Sequence, residues 1–296
     1  MSRRVTVIAT AAVLAIVAGV IALLVFTAGG QQSGAPPLPS STSAPPLGGI
    51  RVWIMTAPVV AALAAQPDIR SALAADRIYE ILRPGEQPET GLNIVPTISY
   101  GSEADLAAAV TGGQLPSYVK AVLYDNEHWS ATPTAEQIAP ATYYKLAAEV
   151  AHSSGLQLVA TPAIDLVEVT SSGTTNAVEA TQFLRANILK DVAPYADVID
   201  VQAQRLETDQ QMYSAFLASA VAQIRAANSQ VMILAGISIH PSSTESIVAD
   251  LVRLVATSRG YVSGYWLNVP GPASASDLTS ARLDLALEFV RQLARA

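Results

Sequence analysis

The sequence predicts an α/β fold, a closed barrel of eight β/α units behind an apolar N-terminal segment. Three observations predict it. From residue 50 onward, short β-branched runs alternate with longer stretches of 3.6-residue periodicity, the pattern of a parallel sheet with helices outside it. No glycine-rich phosphate turn follows the first run, where Ala57-Pro58-Val59-Val60 stands instead, and an open doubly wound sheet is therefore the second reading. Polar and aromatic residues gather at the C-terminal ends of the runs, the face on which such barrels carry their sites.

The chain has 296 residues, 51% hydrophobic and 14% charged, which excludes a disordered polypeptide. It opens with Met1-Ser2-Arg3-Arg4 and then runs uncharged from Val5 to Ala28, a stretch that would extend roughly 36 Å as a helix at ~1.5 Å per residue. That length crosses a bilayer and exceeds the apolar region of a usual signal peptide, so residues 1–29 read as an uncleaved membrane anchor. The small residues Thr27-Ala28-Gly29-Gly30 keep a cleaved, secreted product as the alternative. Arg3 and Arg4 assign their side to the cytoplasm and everything after Gly29 to the outside of the cell membrane. Residues 30–49, rich in Pro, Ser and Gly and free of charge, read as a linker. There is no cysteine, so the domain at 50–296 must be held by its core alone. Setting Arg3 and Arg4 aside leaves 15 bases against 24 acids in that domain, a formal charge of −9 that disfavours nucleic acid as a ligand.

Seven runs read as strands: Arg51–Thr56, Ile94–Ser99, Ala121–Glu127, Leu156–Thr161, Val198–Gln204, Val231–Ser238 and Val262–Val269. The segment Arg77–Leu82 is either the eighth or the end of an Ala-rich helix, and residues 83–92 are short for a parallel crossover, so the second unit would be degenerate. Between the runs lie amphipathic helices. One presents Tyr213, Phe216, Leu217, Ala220, Val221 and Ile224; the last presents Leu283, Ala286, Leu287, Val290 and Leu293. Thr132 before Pro133 reads as the cap of a helix running through Tyr143, Leu146 and Val150.

The densest chemistry is Tyr124-Asp125-Asn126-Glu127-His128-Trp129. Carboxylates at i and i+2 of an extended segment face one side about 6.5–7 Å apart, where their repulsion raises one pKa and suits it to general-acid work. Asp125 and Glu127 are therefore the candidate catalytic pair. Tyr124, Trp129 and Trp266 are candidate stacking faces for sugar rings, and Gln202, Gln204 and Asn268 candidate partners for hydroxyls. Trp53, on the first strand, reads as core. With no H-E-x-x-H, no H-x-H and no cysteine, no metal or other cofactor is expected, and Gly236-Ile237-Ser238-Ile239-His240 lacks the second glycine of a serine-hydrolase elbow.

The stretch KAVLYDNEHW, followed by TPTAEQ, resembles actinobacterial extracytoplasmic barrel proteins of glycoside-hydrolase type, and the paucity of lysine and abundance of alanine resemble the composition of such organisms. The D-x-E on the fourth strand and a Trp on the last are also similar to chitinase-like family 18 enzymes, which have a (β/α)8 TIM-type barrel. The resemblance implies Glu127 as the acid, Asp125 as the orienter of the substrate's acetamido group, and Trp266 as the floor of the cleavage subsite. The family pattern has further acids two and five residues before that Asp; here Leu123 and Lys120 occupy those places. Two functions follow as expectations: a membrane-anchored hydrolase acting on polysaccharide, or a non-catalytic barrel that binds glycan or serves as an envelope scaffold. A carbohydrate ligand and the membrane are the expected partners.

The anchor is checked by fractionating cells and sequencing the N-terminus of the recovered protein. The reading expects membrane-bound protein that retains Val5–Ala28; a soluble product beginning near Gly29 contradicts it.

Overall fold

The computed structural model describes residues 51–169, 175–240, 244–270 and 282–295. The expected anchor and linker lie outside them. Among the described residues no helix is long and apolar enough to cross a membrane.

Eight parallel strands close in the order β1-β2-β3-β4-β5-β6-β7-β8. They are β1 (Val52–Thr56), β2 (Arg77–Ile81), β3 (Asn93–Tyr100), β4 (Ala121–Tyr124), β5 (Gln157–Ala160), β6 (Val198–Val201), β7 (Met232–Ser238) and β8 (Gly264–Asn268). Helices fill most of the crossovers: α1 (Ala57–Ala64) and α2 (Pro67–Leu73) after β1, α3 (Glu103–Thr111) after β3, and α4 (Thr134–Ile138) with α5 (Pro140–Ser153) after β4. A 3₁₀ segment, Ile164–Val169, precedes α6 (Asn176–Arg185) and α7 (Ile188–Val192); a second, Gln204–Leu206, precedes α8 (Gln210–Ala227). The last two are α9 (Glu245–Ser258) and α10 (Leu283–Arg295).

Arg77–Ile81 is the strand that closes the barrel, and residues 82–92 return to β3 without a helix, so the second unit is degenerate. Arg70 substitutes for the missing helix. Its guanidinium binds the Ala64 carbonyl at 2.8 Å, the Thr90 carbonyl at 2.9 Å and the Glu89 carboxylate at 2.9 Å. Beneath this crossover the outward-facing Glu80 is buried and accepts the Glu89 N–H at 2.9 Å, and burial pushes its carboxyl up to about 7.

Strand alternation sorts the core into two layers. Val52, Ile54, Tyr79, Ala121, Leu123, Val159, Val198 and Leu234 pack inside the barrel. The Tyr79 hydroxyl crosses it from β2 to Gln157 on β5, 3.1 Å away. Trp53, Ile78, Val122, Ile199 and Ile233 face the helices, and Trp53 is core whose indole N–H donates to Asp76 at 3.0 Å.

Three expectations need correction. The fourth strand stops at Tyr124 rather than Glu127, and the sixth at Val201 rather than Gln204, because 3₁₀ and loop geometry take over at the mouth. Thr132 caps nothing: Pro133 occupies the cap position of α4, the chain breaks again at Ala139, and α5 buries Tyr144, Ala147, Ala148 and Ala151. Its core face is thus one residue off the expected one, and Leu146 is exposed.

The seam between β1 and β8 leaves no room for a side chain at Gly264. A Cβ on Gly264 would stand 1.8 Å from the Val52 carbonyl oxygen, which is backbone and cannot rotate away. Gly264→Ala should cost about 3 kcal/mol or more, whereas Gly260→Ala, with nothing within 4 Å of the new methyl, should stay within about 0.5 kcal/mol of wild type. Denaturant unfolding of both variants checks this; equal stabilities would contradict it.

Candidate functional site

The mouth is organised by the seven residues after Leu123. Tyr124 faces away from it. Its ring is buried with its centroid 4.6 Å from that of Tyr144, and its hydroxyl donates to the Glu136 carboxylate through a short hydrogen bond. This corrects Tyr124 as a sugar-stacking residue: an even position on β4 turns its side chain into the helix layer. Glu136 also accepts the Glu103 N–H at 2.8 Å and the Ser102 hydroxyl at 3.4 Å, which joins α4 to the start of α3.

Asn126 follows Tyr124 on the same outward side, donating to the Tyr124 oxygen at 3.1 Å and the Glu136 carbonyl at 3.0 Å. The chain between stays extended, since the Asp125 N–H reaches the Tyr100 carbonyl at 2.8 Å and the Ala163 N–H reaches the Asn126 carbonyl at 3.1 Å. Asp125 and Glu127 are left on the inward side. Thr132 and Gln137 secure the rest of the loop: the Thr132 hydroxyl donates to the Gly101 carbonyl at 2.6 Å and accepts the Trp129 indole N–H at 2.7 Å, and the Gln137 amide donates to the Trp129 and Thr132 carbonyls at 2.9 and 2.6 Å. The TPTAEQ motif is therefore the brace of the loop, a role its residues did not announce.

On the inward side, Asp125 is buried and its Oδ1 accepts the Thr161 hydroxyl at 2.7 Å and the Gln202 amide at 3.0 Å. Gln202 also donates to the Thr161 carbonyl at 2.8 Å, and its own oxygen accepts the Gln204 amide at 3.0 Å. Although Gln204 stands past the end of β6, the two amides do meet. Burial, and after it the neighbouring Glu127, push the Asp125 carboxyl up to about 8 despite its two donors. Glu127, half-buried above it, is raised by burial and then by Asp165.

Asp165 accepts the His128 N–H at 3.0 Å and pairs with Arg205 at 2.6 Å; Arg205 also reaches Glu168 at 3.8 Å and Glu179 at 3.5 Å. One guanidinium thus serves a ring of acids. Glu207 accepts the Ser238 N–H at 2.9 Å and burial pushes it up to about 7. Below these groups lies Asp200, on the inward face of β6 and fully buried, raised well above the usual carboxylate range by burial and then by Asp125.

The remaining expected residues are more scattered. Trp129 is 44% exposed, with its ring edge against Gly101. Trp266 is inward and half-buried on the interior cluster, and Asn268 ends the same face of β8, its carbonyl accepting the Ile239 N–H at 2.8 Å. Sequence reasoning missed Asp200 as part of the site. Its signal was an acid in the middle of Val198-Ile199-Asp200-Val201, a residue type depleted from strands, two positions before Gln202. Among the described residues no group of three or more His, Cys, Asp or Glu is arranged to hold a metal ion. A surface cleft of about 330 Å³, lined by none of Asp125, Glu127, Asp200 and Glu207, lies between the α4–α5 corner and Leu166, Val167 and Ile188.

No family model and no curated protein matches the sequence. Among solved structures the chain is similar to the chitinase of Chromobacterium violaceum ATCC 12472, with 12% identity and a TM-score of 0.42 over 83% of this chain and 99% of that one. It is equally similar to the triosephosphate isomerase of Bartonella henselae, with 10% identity and a TM-score of 0.42 over 83% of this chain and all of that one (100%). A complex of the virulence factor SghA with the substrate analog salicin matches at 12% identity and a TM-score of 0.34, covering 52% of this chain; the chain spans 41% of SghA's length. A hydrolase and an isomerase thus stand level, and the likenesses assign no reaction.

Proposed function

We propose that the protein is a glycoside-hydrolase-like barrel acting on polysaccharide, anchored in the cell membrane by residues 5–28 with its barrel outside. Glu127 is the general acid: it donates its proton to the glycosidic oxygen as the bond breaks, and its carboxylate takes one from the attacking water. Asp125 orients the substrate from beneath, steadied by Thr161 and Gln202. Trp129 and Trp266 supply stacking faces, with Gln202, Gln204 and Asn268 for hydroxyls. The observation that carries this reading is the pairing of a half-buried Glu127 with a buried Asp125 at the mouth, both carboxyls raised by burial and by the acids around them.

The second reading, a glycan-binding or scaffold barrel without turnover, is favoured by one observation. Leu123, where the family 18 pattern has an acid, is inward-facing and packed in the interior cluster. The two readings separate on screening the barrel against chitin, peptidoglycan, galactosaminoglycan and arabinogalactan. The first expects hydrolysis that falls about 10²–10⁴-fold in Glu127→Gln, the usual worth of a general acid, while binding falls in Trp266→Ala. Hydrolysis that survives Glu127→Gln contradicts the acid assignment, and binding without product selects the scaffold.

The proton-holding acids also set how stability depends on pH. Asp125 (about 8), Glu207 (about 7), Glu80 (about 7) and Asp200 all lie above the ordinary values of Asp and Glu near 4. Between about pH 4 and pH 8 the folded state therefore binds more protons than the unfolded chain, and stability falls as pH rises through that window. Thermal unfolding should give a higher midpoint at pH 5 than at pH 8. Glu207→Gln should flatten the slope; a midpoint that climbs from pH 5 to 8 contradicts the proton bookkeeping.

A further inference from the structure

Two buried acceptors stand unused beneath the candidate acid pair. Neither carboxylate oxygen of Asp200 has a hydrogen-bond partner, and neither does Oε1 of Gln204. Both side chains converge on Gly236 of β7: a Cβ there would lie 2.2 Å from Gln204 Oε1 and 3.4 Å from Asp200 Oδ2. The missing side chain leaves a space that both oxygens border. Two acceptors facing one gap repel unless one carries a proton, and between a carboxyl and an amide oxygen only the carboxyl can. From Gln204 the donors then point one way: its amide N–H goes to Gln202 Oε1 at 3.0 Å, and the Gln202 amide goes to Asp125 Oδ1 at 3.0 Å.

We infer that Asp200 is a neutral positioning residue whose O–H, directed at Gln204 across the space over Gly236, starts a one-way hydrogen-bond relay through Gln204 and Gln202 to Asp125. The relay, together with the Thr161 carbonyl that also accepts from Gln202, holds both amides so that Gln202 presents N–H rather than C=O to Asp125. The groups facing Asp200 agree with a neutral acid. Asp125 on β4 bears on it as a like charge once ionised, and Tyr213 on α8, whose hydroxyl donates to the Gly236 carbonyl at 3.2 Å, is itself kept neutral by burial. The inference rests on the proposed function only for its catalytic meaning, since the relay exists or fails without substrate.

The test is a pH titration of the intact, ligand-free chain carrying ¹³C-labelled aspartate carboxyls, following the Asp125 signal. Asp200→Asn keeps a donor and never ionises, so the Asp125 midpoint should stay at its wild-type value. Asp200→Val loses the donor and adds no polar group. The Thr161 carbonyl alone then holds the Gln202 N–H toward Asp125, the Gln202 oxygen turns to Asp125 more often, and the midpoint should rise by about one unit, tenfold in proton affinity. A fall of a unit or more in Asp200→Asn would show that a charge had been removed and would overturn the neutral assignment. No change in Asp200→Val would overturn the relay. Loss of the fold in Asp200→Asn would also contradict it, because a neutral acid exchanges for its isosteric amide at little cost.

Discussion

The mouth of this barrel depends on the hydrogen-bonded knot around Glu136. One carboxylate gathers the Tyr124 hydroxyl, the Ser102 hydroxyl and the Glu103 N–H, while Asn126 reaches back to the Tyr124 oxygen and the Glu136 carbonyl. These contacts lock the even-numbered residues after β4 into the helix layer. Asp125 and Glu127 then have no other side to face. The strand's alternation is thereby carried three residues past its last ladder partner, and two carboxyls that repel one another are held on one side, Asp125 buried and Glu127 half-buried. Removing the knot would release the loop before it disturbed the barrel, since the ladder itself ends at Tyr124.

The acids of the mouth are compensated more by protons than by cations. Arg205 is the basic partner of Asp165, Glu168 and Glu179, whereas Asp125, Asp200 and Glu207 are raised by burial and are relieved by holding a proton. A buried carboxyl that holds a proton is a poor contribution to stability and a good one to acid catalysis, because its proton remains available near neutral pH. Gln202 is central to this arrangement. Its amide N–H favours the ionised form of Asp125 against the larger effects of burial and of Glu127, and its oxygen accepts from Gln204.

Much of the architecture was legible in the order of elements. Alternating runs and helices gave the closed barrel, and Arg77–Ile81 completes the count that periodicity left open, because Arg70 and the pinned crossover replace a helix that no pattern could supply. The strand ends were less legible, as extended residues beyond the ladder carry the same alternation as residues within it. Asp125 and Glu127 stood out as a spacing. Tyr124 misled because an aromatic beside an acid reads as a platform, and only the direction of β4 shows that it packs on Tyr144. Thr132, Glu136 and Gln137 carried no signal of their role, since bracing a loop requires partners distant in sequence such as Gly101 and Ser102. Asp200 was visible as an acid within an apolar run, but its meaning came from Gly236, a position on the neighbouring strand that only the fold brings over it.

The central claim is that the Glu127 carboxyl is raised above its ordinary range by burial and by Asp165, because of where the knot holds it. A direct ¹³C titration of the Glu127 carboxyl in the intact chain measures this without a substrate. The account predicts a midpoint clearly above the ordinary glutamate value of about 4.3, and a midpoint at or below that value would contradict it.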